Sequence, residues 1–113
     1  LGYDGLCGMM ANDICLFLAE SKEWSECSPE IAQEKSNYGL IVVAACPGEK
    51  HGHVAVCHPG TLQQSAKWNC SVPMVANVGK ENMICGANWA FRDQPKYYLL
   101  LRENRKIKER KNV

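Results

Sequence analysis

All three histidines of the chain lie within residues 51–58. His53 follows a glycine and precedes residues 54–57, whose small and β-branched side chains predict a short buried strand that ends at a Pro-Gly pair. Because side chains alternate along a strand, His53 and Cys57 are expected on the same face of a sheet. Histidine exchanges its proton near neutral pH, so an imidazole at the mouth of a strand is a candidate general base.

Two other interpretations of this cluster stay open. A histidine at a strand edge often serves as a hydrogen-bonded structural residue. The cluster also offers metal donors, because His51, His53 and Cys57 share strand parity and His58 is adjacent. Zinc sites usually draw their ligands from two separated pairs. This chain has no matching second pair, so we expect neither a metal ion nor another cofactor.

The length of 113 residues predicts one domain with a single core. Its longest apolar run, residues 40–46, is far too short to span a bilayer. The sequence opens on Leu1 instead of Met, which suggests a trimmed or processed N-terminus from which a signal peptide could have been lost.

Residues 102–113 carry six basic and two acidic side chains, which leaves seven basic against ten acidic residues in the rest of the chain. Such a basic tail is either attracted to a polyanion or is simply a solvated terminus. No aromatic residues interleave the basic ones, so we do not expect nucleic acid as a partner.

Seven cysteines are many for this length, and an odd number leaves at least one thiol free or paired outside the chain. Cys46 and Cys57 lie in apolar segments and are typical of small buried hydrophobic side chains. Four others lie near predicted turns and would form disulfides in an oxidising compartment: Cys7, Cys27, Cys70 and Cys85.

The predicted elements begin with a helix over residues 9–21 and a polar connection over residues 21–27. A second helix is predicted over residues 29–36, with Ser28 as its N-cap and proline at its first position. Strands are then predicted over residues 40–46, 54–57, 70–78 and 97–102, with loops over residues 59–69 and 79–86. Helices followed by antiparallel strands predict an α+β fold, with N-terminal helices packed on the sheet.

Several of these segments, taken in order, resemble the NlpC-type, papain-like cell-wall amidases. Residues 11–14 (Ala-Asn-Asp-Ile) followed by Trp24 are similar to the second helix and trailing tryptophan of that family. Residues 32–44 resemble its helix-turn-strand segment, and residues 52–56 (Gly-His-Val-Ala-Val) resemble the segment that carries its general base.

The closing Pro-Lys-Tyr-Tyr of residues 95–98 also matches, most closely the amidase effectors of type VI secretion and related phage amidases. The resemblance covers most of residues 1–101. It therefore implies a papain-like amidase domain over residues 1–101, followed by a basic tail over residues 102–113.

By this resemblance, the chain hydrolyses an amide bond of peptidoglycan stem peptides. A cysteine thiolate attacks the carbonyl carbon, and His53 takes and returns the proton. The family orients its histidine with a polar group on the next strand, for which Asn77 is the best match and the backbone near Cys70 the second. Asn77 is equally well explained as a turn residue before a glycine.

The nucleophile is where the chain departs from the family pattern, which places a cysteine at the start of a preceding helix. Either that helix lies outside this chain, on a removed segment or a second polypeptide, or Cys7 heads a divergent nucleophile motif. Cys15 falls in the middle of the first helix and is expected to be inert.

The resemblance also implies secretion, or delivery to the periplasm or cell wall, and a toxin would imply an immunity or inhibitor protein. Two alternatives to an amidase remain at this point. One is a non-catalytic cell-wall-binding module on the same fold, and the other is a Cys/His-rich zinc-binding structural domain.

Overall fold

A six-stranded antiparallel sheet organises the part of the chain that this computed structural model describes, residues 10–49, 51–77 and 83–101. The helices are α1 (Ala11–Glu20), α2 (Pro29–Asn37) and α3 (Ala87–Ala90). The strands are β1 (Trp24–Cys27), β2 (Val42–Cys46), β3 (His53–Cys57), β4 (Gln63–Ser65), β5 (Cys70–Val72), β6 (Met74–Asn77), β7 (Met83–Gly86) and β8 (Lys96–Leu100).

The sheet has the strand order β1-β8-β2-β3-β6-β7, and β4 and β5 form a separate two-stranded sheet. Helices on an antiparallel sheet make the fold α+β, as predicted. The expected pairing of β2 with the histidine strand β3 is also confirmed, with Ala44 opposite Ala55.

The two longer helices cover opposite faces of the sheet. On one face, Ile14 and Leu18 of α1 pack with Trp24 and alternate residues of β2 and β8. On the other face, Ala32 of α2 packs with Ala44, Ala55 and other core residues. Apolar side chains line both faces, so this double burial explains the unbroken apolarity of residues 42–45.

The second helix begins as predicted. Ser28 Oγ accepts a hydrogen bond from Ile31 N at 3.1 Å, and Pro29 occupies the first turn. Pro29 has no N–H group that would otherwise need a partner at this helix end. The helix extends to Asn37, one residue past the predicted end.

The predicted polar connection over residues 21–27 is wrong in its second half. Residues 24–27 form β1, an edge strand that pairs with β8 so that Trp24 lies opposite Leu100. Trp24 is buried, whereas the next two residues are exposed. Four residues with a single large apolar side chain are too few for a recognisable strand period, so only the tertiary pairing reveals this strand.

The region predicted as one strand over residues 70–78 is divided at Pro73. Proline has no N–H group to donate to a ladder, so β5 ends there and β6 begins at the next residue. β5 pairs with β4, which lies inside the predicted loop 59–69, and β6 pairs with β3. The predicted loop 79–86 likewise contains β7, paired with β6.

A buried glutamine joins α2 to the strands beyond it. Gln33 is 4% exposed, and its Nε2 donates to the His58 carbonyl at 3.0 Å and to Asn37 Oδ1 at 3.0 Å. Its Oε1 accepts from Met74 N at 2.7 Å. Gln33 thus ties the end of β3 and the start of β6 to the same helix turn, and thereby fixes how these two strands meet.

The Gln33→Ala variant is predicted to lower the free energy of unfolding by about 1 to 3 kcal/mol, because it leaves a partly buried N–H and a partly buried carbonyl without their partner. Urea denaturation measures this change. Gln64→Ala is the matched control, since Gln64 is exposed and its side chain has only a 3.5 Å contact with Ser71. A loss in Gln33→Ala no larger than in this control would contradict the assigned role.

Candidate active site

His53 begins β3 and lines an open cleft of about 330 Å³ at one end of the sheet. Its register partner on β2 is Cys46, which lines the same cleft. Arg92 and Asp93, from the loop after α3, also line this cleft, as do Glu49 and His51. The cleft therefore combines an imidazole with charges of both signs.

Asn77 is the hydrogen-bond partner of His53. His53 Nε2 lies 2.6 Å from Asn77 Oδ1. The two strands pair with Val56 opposite Ala76, so the continued register brings Asn77 beside Ala55, diagonally across from His53 on the same face. The sequence prediction that singled out these two side chains therefore named residues that the structure brings together.

This hydrogen bond selects one tautomer of the neutral imidazole. Asn77 Oδ1 has lone pairs and no hydrogen, so the His53 nitrogen that faces it must carry the proton. Nδ1 then holds the lone pair of the neutral ring. A histidine fixed in this way can accept a proton through Nδ1 without losing the hydrogen bond that orients it.

Phe91 packs against the same imidazole. The two ring centroids are 4.8 Å apart with an interplanar angle of 58°, and Phe91 is only 3% exposed. The Phe91 carbonyl accepts a hydrogen bond from Lys67 Nζ at 2.9 Å, which ties the end of α3 to the turn between β4 and β5. The imidazole is therefore held by a polar contact to Asn77 and an apolar contact to Phe91.

Gly52 is required by the close approach of two neighbours. A methyl group at this position would collide with Asn12 Oδ1 and stand 3.0 Å from the Cys46 carbonyl oxygen. Asn12 cannot easily move away, because its amide donates to the Gly48 carbonyl at 2.9 Å and accepts from Gly48 N at 3.0 Å. The glycine before His53 thus lets the first turn of α1 pack against the β2–β3 turn at the cleft.

Cys7 lies outside the described residues. The chain enters α1 at Ala11, and Asn12 joins this end of the helix to the Gly48 turn that borders the cleft. The role of Cys7 as the nucleophile therefore stays a prediction.

The six described cysteines are free thiols, so the disulfides that the sequence allowed among Cys27, Cys70 and Cys85 are not formed. Burial raises the pKa of Cys27 to about 11 and that of Cys57 to about 12. Burial also raises the pKa of Cys15, which lies inside α1 and fits the expectation of an inert thiol. These thiols stay protonated at neutral pH and are poor nucleophiles.

Cys46 is the described thiol nearest to His53 along the sheet, but its environment disfavours the thiolate. Burial and, to a lesser degree, the Asp93 carboxylate raise the pKa of Cys46. Its Sγ lies 3.7 Å from the Pro47 carbonyl oxygen, an acceptor that favours the protonated thiol. Cys46 therefore contributes shape to the cleft and not an activated sulfur.

The other two histidines do not join His53 around a common point. His58 Nδ1 lies 2.8 Å from the Pro59 carbonyl oxygen, and His51 is exposed at the rim of the cleft. Cys57, which shares strand parity with His53, is buried in the core. Within the described residues, no group of three or more histidine, cysteine or acidic side chains is arranged to hold a metal ion.

Sequence reasoning missed Phe91, Arg92 and Asp93 as parts of the site. They come from a loop that is distant in sequence and have no recognisable motif, so only the fold brings them to His53.

A comparison with models of known protein families gives no match to this chain, and a comparison with curated proteins finds no similar sequence. None of the helices formed by the described residues has the length and apolar content that crossing a membrane requires.

Alkylation by iodoacetamide at about neutral pH is predicted to spare Cys57 and Cys27 in the folded protein. Their raised pKa values keep the thiolate fraction small, so labelling should increase as the pH rises toward 11 and 12. Mass spectrometry of the labelled peptides measures this order, with the urea-unfolded chain as the control in which all thiols react. Equal labelling of Cys57 in the folded and unfolded chains would contradict the assignment.

Proposed function

We propose that this chain is a cysteine amidase of the bacterial cell wall, or the larger part of one, in which His53 is the general base and acid. The observation that carries the proposal is the 2.6 Å contact between His53 Nε2 and Asn77 Oδ1 at the end of a cleft. An imidazole oriented by an amide oxygen has the arrangement that activation of a thiol needs.

The substrate in this proposal is an amide bond of a peptidoglycan stem peptide. The resemblance in residues 11–14, 32–44 and 52–56 to NlpC-type amidases supplies this substrate class. The cleft supports it chemically, because Arg92 offers a cation for carboxylates, and Glu49 and Asp93 offer anions for ammonium groups. Stem peptides carry both kinds of group.

The reaction begins when Nδ1 of His53 takes the proton of a cysteine thiol. The thiolate attacks the amide carbonyl carbon, and the C=O π electrons move to oxygen. As the oxyanion collapses, the C–N bond breaks and Nδ1 returns the proton to the leaving nitrogen, which departs as an amine. The product on the enzyme is a thioester.

Hydrolysis of the thioester uses the same nitrogen. Nδ1 takes a proton from water, the hydroxide oxygen attacks the thioester carbon, and the C–S bond breaks as the carboxylic acid product forms. The proton on Nδ1 passes to the departing sulfur, which restores the thiol. Asn77 accepts from Nε2–H throughout, so the imidazole keeps its orientation in both proton states.

The nucleophile is Cys7 or a thiol supplied from outside this chain. Among the described cysteines, the resolved pKa shifts are all upward, which argues against those thiols in this role. The proposed substrate implies that the protein is secreted, or delivered to the periplasm or cell wall. If the protein acts as a toxin, it requires an immunity protein that covers the cleft.

The same thiol chemistry favours a second candidate, a non-catalytic cell-wall-binding module on this fold. The described cleft combines a positioned imidazole with a protonated cysteine, Cys46. A module of this kind binds muropeptides saturably and releases no amine.

Digestion of purified sacculi tests the proposal. The wild-type chain is predicted to release new amines, read by mass spectrometry of the fragments, and His53→Ala to lose this release by about 100-fold or more because the proton carrier is absent. His58→Ala is the matched control, since its ring contacts the adjacent loop carbonyl. Cys46→Ala should also retain activity.

The Cys7→Ala variant locates the nucleophile. Loss of cleavage assigns the attacking sulfur to Cys7, whereas cleavage that needs His53 but not Cys7 assigns it to another thiol. No amine release by the folded wild-type chain would rule out a complete amidase with Cys7 as its nucleophile. Saturable muropeptide binding without release would then support the binding module.

A further inference from the structure

Trp89 has the most exposed of the large hydrophobic side chains in the described part of the chain, with 78% of its surface open. The other two tryptophans are placed differently, since Trp24 is 5% exposed and Trp68 is half-buried against the core. An indole offers roughly 150–250 Å² of mostly apolar surface together with one polar N–H group.

The exposure of Trp89 is built into the scaffold. It lies on α3, whose first residue, Ala87, is fully buried and donates its N–H to the Pro73 carbonyl at 3.0 Å. The other end of α3 is held because Lys67 Nζ donates to the Phe91 carbonyl at 2.9 Å. The indole is therefore presented by a short element that is fixed at both ends.

The same element carries the apolar contact of the candidate active site. Phe91 follows Trp89 by two residues and packs against His53. Phe91, the first residue after α3, is only 3% exposed, so its side chain and the exposed indole of Trp89 point to different sides of this segment. Phe91 faces His53, whereas Trp89 faces outward. A ligand on the indole therefore lies beside the cleft and not inside it.

Polar residues lie near Trp89 along the chain. They include Asn88 and Arg92, and Lys67 lies against the same segment. Two other exposed apolar residues lie nearby on β7, but Met83 and Ile84 are adjacent in a strand and point to opposite faces. They therefore do not form one broad apolar patch with Trp89. A stable protein interface needs about 800 Å² per partner with an apolar centre, which is more than one indole supplies.

We infer that Trp89 is a stacking platform for a saccharide, namely the β-linked amino-sugar strand from which the stem peptides of peptidoglycan branch. The negative face of the indole attracts the C–H face of a pyranose ring. The exposed Arg92, three residues along the chain, can donate to hydroxyl and acetamido oxygens. With the sugar on Trp89, the attached peptide reaches His53 from the side of α3. This inference rests on the proposed function for the identity of the polymer.

Binding of peptide-free glycan strands tests the surface directly. Glycan strands are prepared from sacculi with all stem peptides removed, and co-sedimentation measures the bound protein for the wild-type chain and for the Trp89→Ala and Trp89→Phe variants. Trp89→Ala should weaken binding by about tenfold or more, whereas Trp89→Phe should retain part of it because a smaller aromatic face remains.

Leu16→Ala is the matched control, because Leu16 is 59% exposed and lies on α1, which covers the opposite face of the sheet. It should bind glycan as the wild type does. Circular dichroism verifies that each variant is folded. Wild-type binding by folded Trp89→Ala, or no glycan binding by the wild-type chain, would overturn the inference.

A second copy of the chain is the competing occupant, and analytical ultracentrifugation tests it. A concentration-dependent dimer that Trp89→Ala abolishes would assign the indole to self-association and overturn the sugar surface. The glycan assay requires no amide cleavage, so its outcome is independent of the amidase test. Glycan binding without amide cleavage would contradict only the complete amidase, and amide cleavage without glycan binding would contradict only the sugar surface.

Discussion

The register between β3 and β6 is the constraint on which the candidate site depends. It brings Asn77 diagonally across from His53, and the resulting hydrogen bond fixes the ring and its tautomer. Gln33 holds both strands to α2 through the His58 carbonyl and Met74 N. Pro73 ends β5, so the chain leaves the small sheet and enters the main one at β6. A one-residue slip would turn Asn77 to the opposite face and leave His53 without this partner.

Much of this arrangement could be predicted where the signal is local. The N-cap and proline of α2, the apolar run of β2 and the glycine before His53 each act through their immediate neighbours, and these elements were found with small errors at their ends. β1 and β7 were missed, because edge strands of four residues gain their order from pairing with distant partners. A sequence pattern indicates the conformation of one segment, whereas strand pairing depends on which segments come together in the fold.

The site shows the same division. His53 was identified because a strand-edge imidazole is visible in sequence, and Asn77 because the family that the chain resembles has a polar residue on the next strand. Phe91 and Asp93 were not, since their part in the cleft follows from where α3 and its loop lie on the sheet. Burial raises the pKa values of Cys46 and Cys57, which separates the positioned imidazole of His53 from an activated sulfur on β2 or β3. The proposed amidase therefore depends on Cys7, or on a thiol from outside this chain, as its nucleophile.

The most direct test of the account is the rate of amine release from muropeptides by Asn77→Ala and Asn77→Asp, compared with the wild-type chain. Removing the acceptor frees the imidazole to rotate and to change tautomer, so Asn77→Ala should be slower by about 100-fold. A carboxylate still accepts from Nε2–H, so Asn77→Asp should keep much of the activity. Wild-type rates in folded Asn77→Ala would contradict the claim that this hydrogen bond makes His53 the catalytic base.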